Sequence, residues 1–207
     1  LDLYSNFTYA LNDQVNGDQF KQADRRRAGG FAGSHTVYDR WGSFEVDNTV
    51  GVDSRIDRIR PVGLYATSGR TTLSTTREDR VDQRSIGLYA QNQTRWLEKF
   101  RTVAGLRADF YRFDVDSNIA ANSGSANDRL LSPKLSAIFG PWETTEFYAN
   151  YGHGFHSNDA RGATLTVGPS TGTAAEKVTP LVKSRGYEVG MRSEPLPGWQ
   201  STLSWWA

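Results

Sequence analysis

The sequence lacks cysteine altogether: none of its 207 residues carries a thiol. Disulfide bonds, thiolate metal sites and cysteine nucleophiles are therefore excluded. The sequence also lacks any run of about 18 apolar residues, the length that a membrane-spanning helix requires. A membrane protein with this sequence would have to cross the bilayer as a β-barrel.

A strong charge of either sign is missing as well. Lys and Arg number 24 and Asp and Glu number 23, which gives a net charge of +1 at pH 7. This balance creates no overall field that would attract nucleic acid or an acidic surface, so we expect no nucleic-acid partner. Hydrophobic residues make up only 37% of the chain, yet aromatic residues reach 12%, and disordered chains are poor in aromatics. We therefore expect an ordered fold that needs few aliphatic residues.

A helical period is not found in any long segment, whereas a period of two residues recurs. In the segment from Phe100 to Phe110, large and small apolar residues alternate with Arg101, Arg107 and other mostly polar residues. A strand places alternate residues on opposite faces, so the segment has one apolar and one polar face. The same alternation occurs at Leu1–Leu11, Phe44–Val52, Ser85–Gln91, Pro133–Phe139 and Tyr187–Arg192. The pattern predicts an all-β, antiparallel fold of about nine strands, each of roughly 10–15 residues.

The predicted connections alternate between short and long. Short turns are predicted at Asp39–Gly42, Trp96–Lys99, Gly140–Thr144 and Glu194–Gly198. Long polar loops are predicted at Asn12–Gln22, Arg58–Val81, Asp114–Arg129 and Gly154–Leu181. Such long loops are unusual in compact soluble domains, but outer-membrane barrels have short periplasmic turns and long external loops.

Four of the six tryptophans lie in or beside the short turns, namely Trp41, Trp96, Trp142 and Trp199. Tryptophan favours the membrane–water interface, so this placement is typical of the aromatic girdle of a barrel, although it also fits packing anchors in a soluble β-sandwich. Bacterial barrels have an even strand number, whereas about nine strands are predicted and the last ends at Ala207. Residues 1–15 resemble no signal peptide and the chain begins with Leu1, so we interpret it as a mature or shortened chain and a partial transmembrane β-barrel.

Several segments, taken in order, resemble the barrel of TonB-dependent outer-membrane receptors. Three segments are similar to that family's pattern: Ser132-Pro133-Lys134, Phe147–Gly162 with its Gly-His-Gly-Phe, and Tyr187-Glu188-Val189-Gly190-Met191-Arg192. Four earlier segments are also similar to it, namely Tyr4–Tyr9, Gly17–Gln22, Asp24-Arg25-Arg26 and Gly105-Leu106-Arg107. Each segment alone is weakly specific, but their order along nearly the whole chain is not.

The resemblance implies uptake of a scarce nutrient, such as a siderophore, metal chelate or cobalamin, across the bacterial outer membrane, energised through TonB. It implies that residues 1–207 form part of a β-barrel domain of about 22 strands. It also implies two partners that the sequence does not contain, a plug domain and TonB, besides outer-membrane lipid. No cofactor and no catalytic residue are expected.

The ligand-binding candidates are His153, directly before the Gly154–Leu181 loop, and His156, Asp159 and Arg161, in its first residues. That loop and the Arg58–Val81 loop are the predicted ligand-facing surfaces. The two histidines and Asp159 could bind a transition metal. The spacing of these three residues would bring their side chains together only on a helix, whereas the segment is a strand that leads into a loop. A loop-entry motif held by hydrogen bonds is therefore favoured, and no metal site is predicted.

Other charged clusters are expected to be structural. The run Arg25-Arg26-Arg27 should alternate between the lumen and the interface of a strand, although an anion site is an alternative. The groups Arg55, Asp57, Arg58 and Arg77, Asp79, Arg80 are expected to be salt-linked loop and lumen residues, since barrel interiors are polar, although binding of a charged ligand is an alternative.

Two other classes of protein remain open on the residues alone. A small outer-membrane hydrolase would need a Ser/His pair near the rim. A soluble β-sandwich would bury Phe100, Leu106 and Phe110 against a second sheet.

Overall fold

The fold is a single antiparallel sheet of nine strands in the order β1 to β9, each strand paired with its neighbours in sequence. The computed structural model describes residues 1–207. The strands are β1 (Asp2–Ser5), β2 (Phe20–Trp41), β3 (Phe44–Ser68), β4 (Thr71–Leu97), β5 (Phe100–Ser117), β6 (Gly124–Trp142), β7 (Thr145–Ser157), β8 (Leu181–Leu196) and β9 (Trp199–Trp206). A 3₁₀ turn at Ala120–Asn122 and a one-turn helix, α1 (Ala160–Ala163), complete the fold. Neither helical segment is long and apolar enough to cross a membrane.

The tight connections predicted from the sequence are confirmed. Each of them is a two-residue turn, at residues 42–43, 98–99, 143–144 and 197–198, and all four lie at the same end of the sheet. Gly42 and Gly198 have φ values of 65° and 80°, in the left-handed region that such turns require and that glycine adopts without strain. The long loop predicted at Gly154–Leu181 lies at the opposite end and spans residues 158–180, because β7 continues to Ser157.

The predicted loop at Arg58–Val81 is wrong. Strands β3 and β4 remain paired as far as Ser68 opposite Thr71, and only residues 69–70 form the turn. Tyr65 helps to hold this long hairpin together, because its hydroxyl donates a 2.7 Å hydrogen bond across the strands to Glu78. The hairpin therefore extends the sheet instead of forming an irregular loop.

Two other boundaries also differ from the expectation. The predicted strand Leu1–Leu11 is regular only over Asp2–Ser5. The residues that follow form turns, in which the carboxylate of Asp18 accepts hydrogen bonds from the backbone N–H groups of Asn12 and Asp13. The loop predicted at Asp114–Arg129 is shorter and spans only residues 118–123, because β5 and β6 remain paired as far as Val115 opposite Gly124.

The two faces of the sheet differ in polarity, as the two-residue period predicts. On β5, Leu106 and Phe110 are 47% and 41% exposed on the outer face, whereas Asp109 is 2% exposed on the inner face. A soluble sandwich would bury the apolar face against a second sheet, but the chain forms one sheet only. The sandwich alternative is therefore wrong.

The hydrophobic core lies on the inner face, near the end of the sheet that carries the long loop. Each member has less than a tenth of its surface exposed, and the members are Ile59, Val62, Val81, Phe113, Val115, Leu130, Ala160 and Leu181. Because Ala160 belongs to α1, the 158–180 loop folds inward and packs on the inner wall of β3 to β6. This inward-folded loop, which we call the inner loop, shapes the candidate site.

Candidate functional site

A cavity of about 360 Å³ lies between the inner face of the sheet and the start of the inner loop. Strands β2 to β5 form its wall and residues 157–161 form its roof. Its lining is mainly polar and comprises Asp24, Arg26, Arg55, Asp57, Ile59, Val62, Val81, Gln83, Ser85, Tyr111, Ser157, Asn158, Asp159, Ala160 and Arg161. Three arginines and three aspartates face the same space, so the cavity can offer hydrogen-bond donors and acceptors without a net charge.

Asp57 is the centre of the wall's ion pairs. Its carboxylate accepts hydrogen bonds from Arg55 Nε at 2.6 Å and Arg55 Nη2 at 2.9 Å, and Arg26 Nη1 lies 3.6 Å away. Residues 55 and 57 share a face because they are two apart on β3, and the strand register brings β2 alongside. Asp57 is 2% exposed, whereas both arginine side chains keep about half of their surface free. The guanidinium groups are therefore held in place but remain accessible to a ligand.

The roof is fixed by Asp159, which caps α1. Its carboxylate accepts a hydrogen bond from the Arg161 backbone N–H at 2.9 Å and pairs with the Arg161 guanidinium at 2.6 Å. Burial alone would raise the pKa of Asp159, but the hydrogen bonds and charge of Arg161 outweigh it and lower that pKa. The same pair raises the pKa of Arg161. Both groups are therefore charged across the physiological range.

A second pair connects the roof to the wall. Arg77 and Asp79 form an ion pair on β4, and Asp79 is 1% exposed. The Arg77 Nη2 group also donates to the backbone carbonyl of Arg161 at 3.5 Å. This arginine links β4 to α1 beside the cavity.

The far part of the inner loop is held by Asn122, in the short segment between β5 and β6. This side chain is fully buried. Its Oδ1 accepts hydrogen bonds from the backbone N–H groups of Thr166 and Val167, both at 2.9 Å, and its Nδ2 donates to the Val167 carbonyl at 2.9 Å. One amide thus satisfies three backbone groups that would otherwise be unpaired under the loop.

The four residues predicted as ligand-binding do not lie together. Asp159 and Arg161 line the cavity. His153 instead forms a 3.0 Å hydrogen bond with the hydroxyl of Tyr151, and its ring meets the tyrosine ring edge-on. His156 is exposed near the end of β7, opposite Val182. No three His, Asp or Glu side chains converge as a metal ion would require.

For the wall arginines Arg26 and Arg55 the sequence favoured a structural role, with an anion or charged-ligand site only as the alternative. The signal that could have found them is the period of two: Arg55 and Asp57 share a face, and so do Asp24 and Arg26. The run at residues 25–27 does alternate, since Arg26 lines the cavity and Arg27 lies on the outer face. Asn122 had no sequence signal, because its partners are 44 and 45 residues away.

Farther from the loop, the inner wall continues as a charged surface. Arg107 bridges Asp53 and Asp109 with N–O distances of 2.6 Å and 2.7 Å. Nearer the short turns, Glu146 pairs with Arg101 at 2.8 Å and with Arg192 at 2.6 Å. The concave face is therefore polar along its length, which is typical of a barrel lumen.

Several solved structures share this fold. The ferric citrate transporter FecA in the unliganded form superposes with a TM-score of 0.71 at 15% identity, covering 91% of this chain and 28% of FecA. The ferric-catecholate import receptor Fiu from K12 E. coli gives a TM-score of 0.68 at 15% identity, with 93% and 33% covered. The copper transporter OprC gives 0.58 at 18% identity, with 91% and 31% covered. The chain thus spans about a third of these proteins' length or less.

No curated protein matches the sequence. The family model for the TonB dependent receptor-like β-barrel matches residues 1–207. Because the match covers the whole sequence, the chain belongs to this family of bacterial outer-membrane β-barrels, whose members are transporters and not enzymes.

Proposed function

We propose that the chain is part of the barrel wall of a TonB-energised receptor that takes up a scarce nutrient, such as a siderophore, a metal chelate or cobalamin. The barrel would have about 22 strands and would enclose a plug domain. Support comes from the family membership and from the polar concave face, which suits a lumen occupied by another polar surface. The short turns would face the periplasm and the inner loop would face the outside.

The observation that carries the proposal is the inward fold of the inner loop over the charged cavity. In this position Asp159 and Arg161 face the same space as the wall arginines Arg26 and Arg55. A ligand that enters from the loop side would meet these groups first. Oxygen-rich ligands fit this lining, since guanidinium groups donate several hydrogen bonds in a fixed plane to carboxylate or similar oxygens.

We further propose that His153 and His156 bind the ligand from outside the cavity, at the end of β7 where this strand leads into the inner loop. Neither side chain lines the cavity. Their substitution should weaken ligand capture less than substitution of Arg161, because they would contact only the periphery of a bound ligand.

The test is uptake by cells that express the complete receptor as their only route for the offered nutrient. A panel of radiolabelled ferric citrate, ferric catecholate, copper and cobalamin would be offered with and without functional TonB. We expect uptake of at least one compound that requires TonB. If no compound is taken up in a TonB-dependent way, the transport proposal fails.

The cavity is tested with the compound that the panel identifies. The double variant Arg26→Gln, Arg55→Gln should lower its affinity by about a hundredfold or more, since two charge-assisted hydrogen bonds of about 1.5–3 kcal/mol each are lost. The matched control is Arg40→Gln, because Arg40 is exposed beside a short turn, far from the cavity. If the double variant binds the compound as tightly as the control, the ligand site lies elsewhere in the receptor.

A further inference from the structure

Three polar side chains lie on the outer face of the sheet, where contact with lipid favours apolar ones. They are His35 on β2, Asn48 on β3 and Asn92 on β4, and we call them the outer polar patch. His35 lies opposite Val50, and that row of cross-strand partners continues to Leu106, which is exposed on the outer face. Asn48 lies two residues from Val50 and is paired with Asn92, so both asparagines share this face.

The outer polar patch lies well inside the apolar band and not at its edge. His35 is seven residues from the short turn that follows it, and Leu106 is seven residues from the short turn that precedes it. Leu106 is near the middle of the outward span from Phe100 to Phe110, whose length matches the roughly 9–11 residues with which a tilted strand crosses a bilayer. The two asparagines lie one cross-strand row nearer the turns. Lipid acyl chains offer no hydrogen-bond partner at this depth.

The hydrogen bonds of the outer polar patch are incomplete. Asn92 Nδ2 donates to Asn48 Oδ1 at 2.9 Å, and Thr94 Oγ1 donates to Asn92 Oδ1 at 2.8 Å. Asn48 is half-buried, yet its Nδ2 group donates to no atom of the protein, and the exposed ring of His35 has no partner either. Polar groups without a partner are costly in hydrocarbon, and an ionisable side chain there marks a functional surface. The patch therefore calls for a partner that brings polar groups into the membrane.

The outer polar patch contains both halves of a hydrogen bond. Asn48 Nδ2 is a free donor, and a neutral imidazole such as that of His35 accepts at one ring nitrogen. The two residues are diagonal neighbours across β2 and β3, a position in which Cα atoms are about 7–8 Å apart. A two-fold axis between them would place each donor against the acceptor of the other copy, as in an isologous dimer. Ala90 and Ala104 beside the patch are small, which permits a close approach.

We propose that the outer polar patch is the contact between two copies of the receptor in the outer membrane. His35 of each copy accepts a hydrogen bond from Asn48 of the other. A different membrane protein would have to supply a matching donor and a matching acceptor, whereas a second copy supplies both by symmetry. The inference rests on the family membership, which places this face in lipid, and not on the transported nutrient.

Cysteine cross-linking in intact cells tests the contact. The sequence has no cysteine, so one introduced thiol reports on one position, once any cysteine elsewhere in the complete receptor is replaced by serine. Val37 is opposite Asn48 and two residues from His35, so the thiols of two Val37→Cys copies would face each other across the axis. A short bifunctional thiol reagent should give a band at twice the receptor mass. The matched control Val189→Cys, exposed on the outer face of β8, should give none.

The strength of the contact is measured by energy transfer between labelled copies of the complete receptor in lipid vesicles. His35→Leu removes both symmetric hydrogen bonds and should weaken dimerisation by about a hundredfold, since each such bond within a membrane contributes about tenfold. His35→Gln keeps an acceptor and should dimerise nearly as the native receptor does. The matched control Ser201→Leu makes the same polar-to-apolar change on the outer face of β9 and should leave dimerisation unchanged.

A native receptor that remains monomeric in vesicles, or a Val37→Cys receptor that gives no band at twice its mass, overturns the proposal. Dimerisation of His35→Leu as tight as that of the native receptor also overturns it, because the contact then lies elsewhere. A cross-linked band of another mass would mean that a different protein covers the patch, and the second-copy assignment would be wrong. If His35→Leu does not fold, Asn48→Leu must show the same hundredfold loss. Uptake of the nutrient is measured separately, so failure here leaves the transport proposal standing.

Discussion

Removal of the Asn122 side chain should release the inner loop from the wall. In the Asn122→Ala variant the backbone N–H groups of Thr166 and Val167 lose acceptors that lie at 2.9 Å. A buried donor without a partner costs about 1–3 kcal/mol. Because water will enter part of the vacated space, we take about 1.5 kcal/mol for each donor. Local opening of the loop should therefore become easier by about 3 kcal/mol, without unfolding of the sheet.

That change corresponds to about a hundredfold faster amide exchange at Thr166 and Val167. Hydrogen exchange followed by mass spectrometry, on the receptor in detergent, would measure it. The matched control is Asn127→Ala, since Asn127 is exposed on the outer face of β6 and its loss should leave exchange unchanged. If Asn122→Ala protects both amides as well as the native protein does, another contact holds the loop and the reasoning is refuted.

Three further experiments, two with substitutions and one with pH, test the faces of the sheet and the first loop. Replacing Gly87 by Val should lower stability by about 1–3 kcal/mol, because the new Cβ would overlap the guanidinium group of Arg107 on the inner wall. The control Gly29→Val should not lower stability, since a Cβ there would meet open space. Equal melting temperatures of the two variants would contradict this reasoning. Phe113→Ala should lower the free energy of unfolding by about 3–5 kcal/mol in a chemical unfolding experiment, because Phe113 is fully buried. Phe110→Ala on the outer face should lower it less. The reverse order would be incompatible with the assigned faces. Hydrogen bonds from backbone N–H groups, that of Asn12 above all, lower the pKa of Asp18 to about 2. The stabilisation of the first loop is therefore complete above the ordinary value of 3.8 and disappears as the pH falls through about 2. A carboxyl NMR titration with a midpoint near 4 would show that the carboxylate does not accept these bonds.

The strands that lie within the bilayer could be predicted because lipid imposes a rule on them. From Phe100 to Phe110 every outward side chain must be compatible with hydrocarbon, while the inward ones face polar surroundings. The alternation, the two-residue turns and the tryptophans beside them all follow from this difference in surroundings. The same rule explains why the fold class was readable at a hydrophobic content of only 37%.

The hairpin between β3 and β4 could not be predicted by that rule, because its upper part lies above the bilayer. There the outward face meets water, and Arg58 and Asp82 replace apolar residues while backbone pairing continues. Once both faces tolerate charge, the period of two disappears from the hydropathy although the strand does not end. Hydropathy alone therefore predicts a polar loop where the strands continue.

The candidate site was predictable only where it lies in a loop. Asp159 and Arg161 were singled out because they start the longest polar connection. Their neighbours Arg26 and Arg55 come from strands 135 and 106 residues before Arg161, and only the sheet register brings them to the same cavity. One sequence contains no record of that register. The cavity could therefore be found only in the folded chain.

The arginines of the inner and outer faces look alike in the sequence, yet their surroundings require different partners. Arg107 lies on a concave wall where its charge is only a third exposed, and two aspartates of the same chain neutralise it. Arg84 is exposed on the outer face, opposite Arg112, and water can solvate its charge. Substitution on the inner wall should therefore leave buried carboxylates unpaired and lower stability, since an uncompensated buried charge is costly. Substitution of an exposed outer-face arginine such as Arg84 should leave stability almost unchanged, so the melting temperatures of Arg107→Gln and Arg84→Gln, measured side by side, separate the two roles.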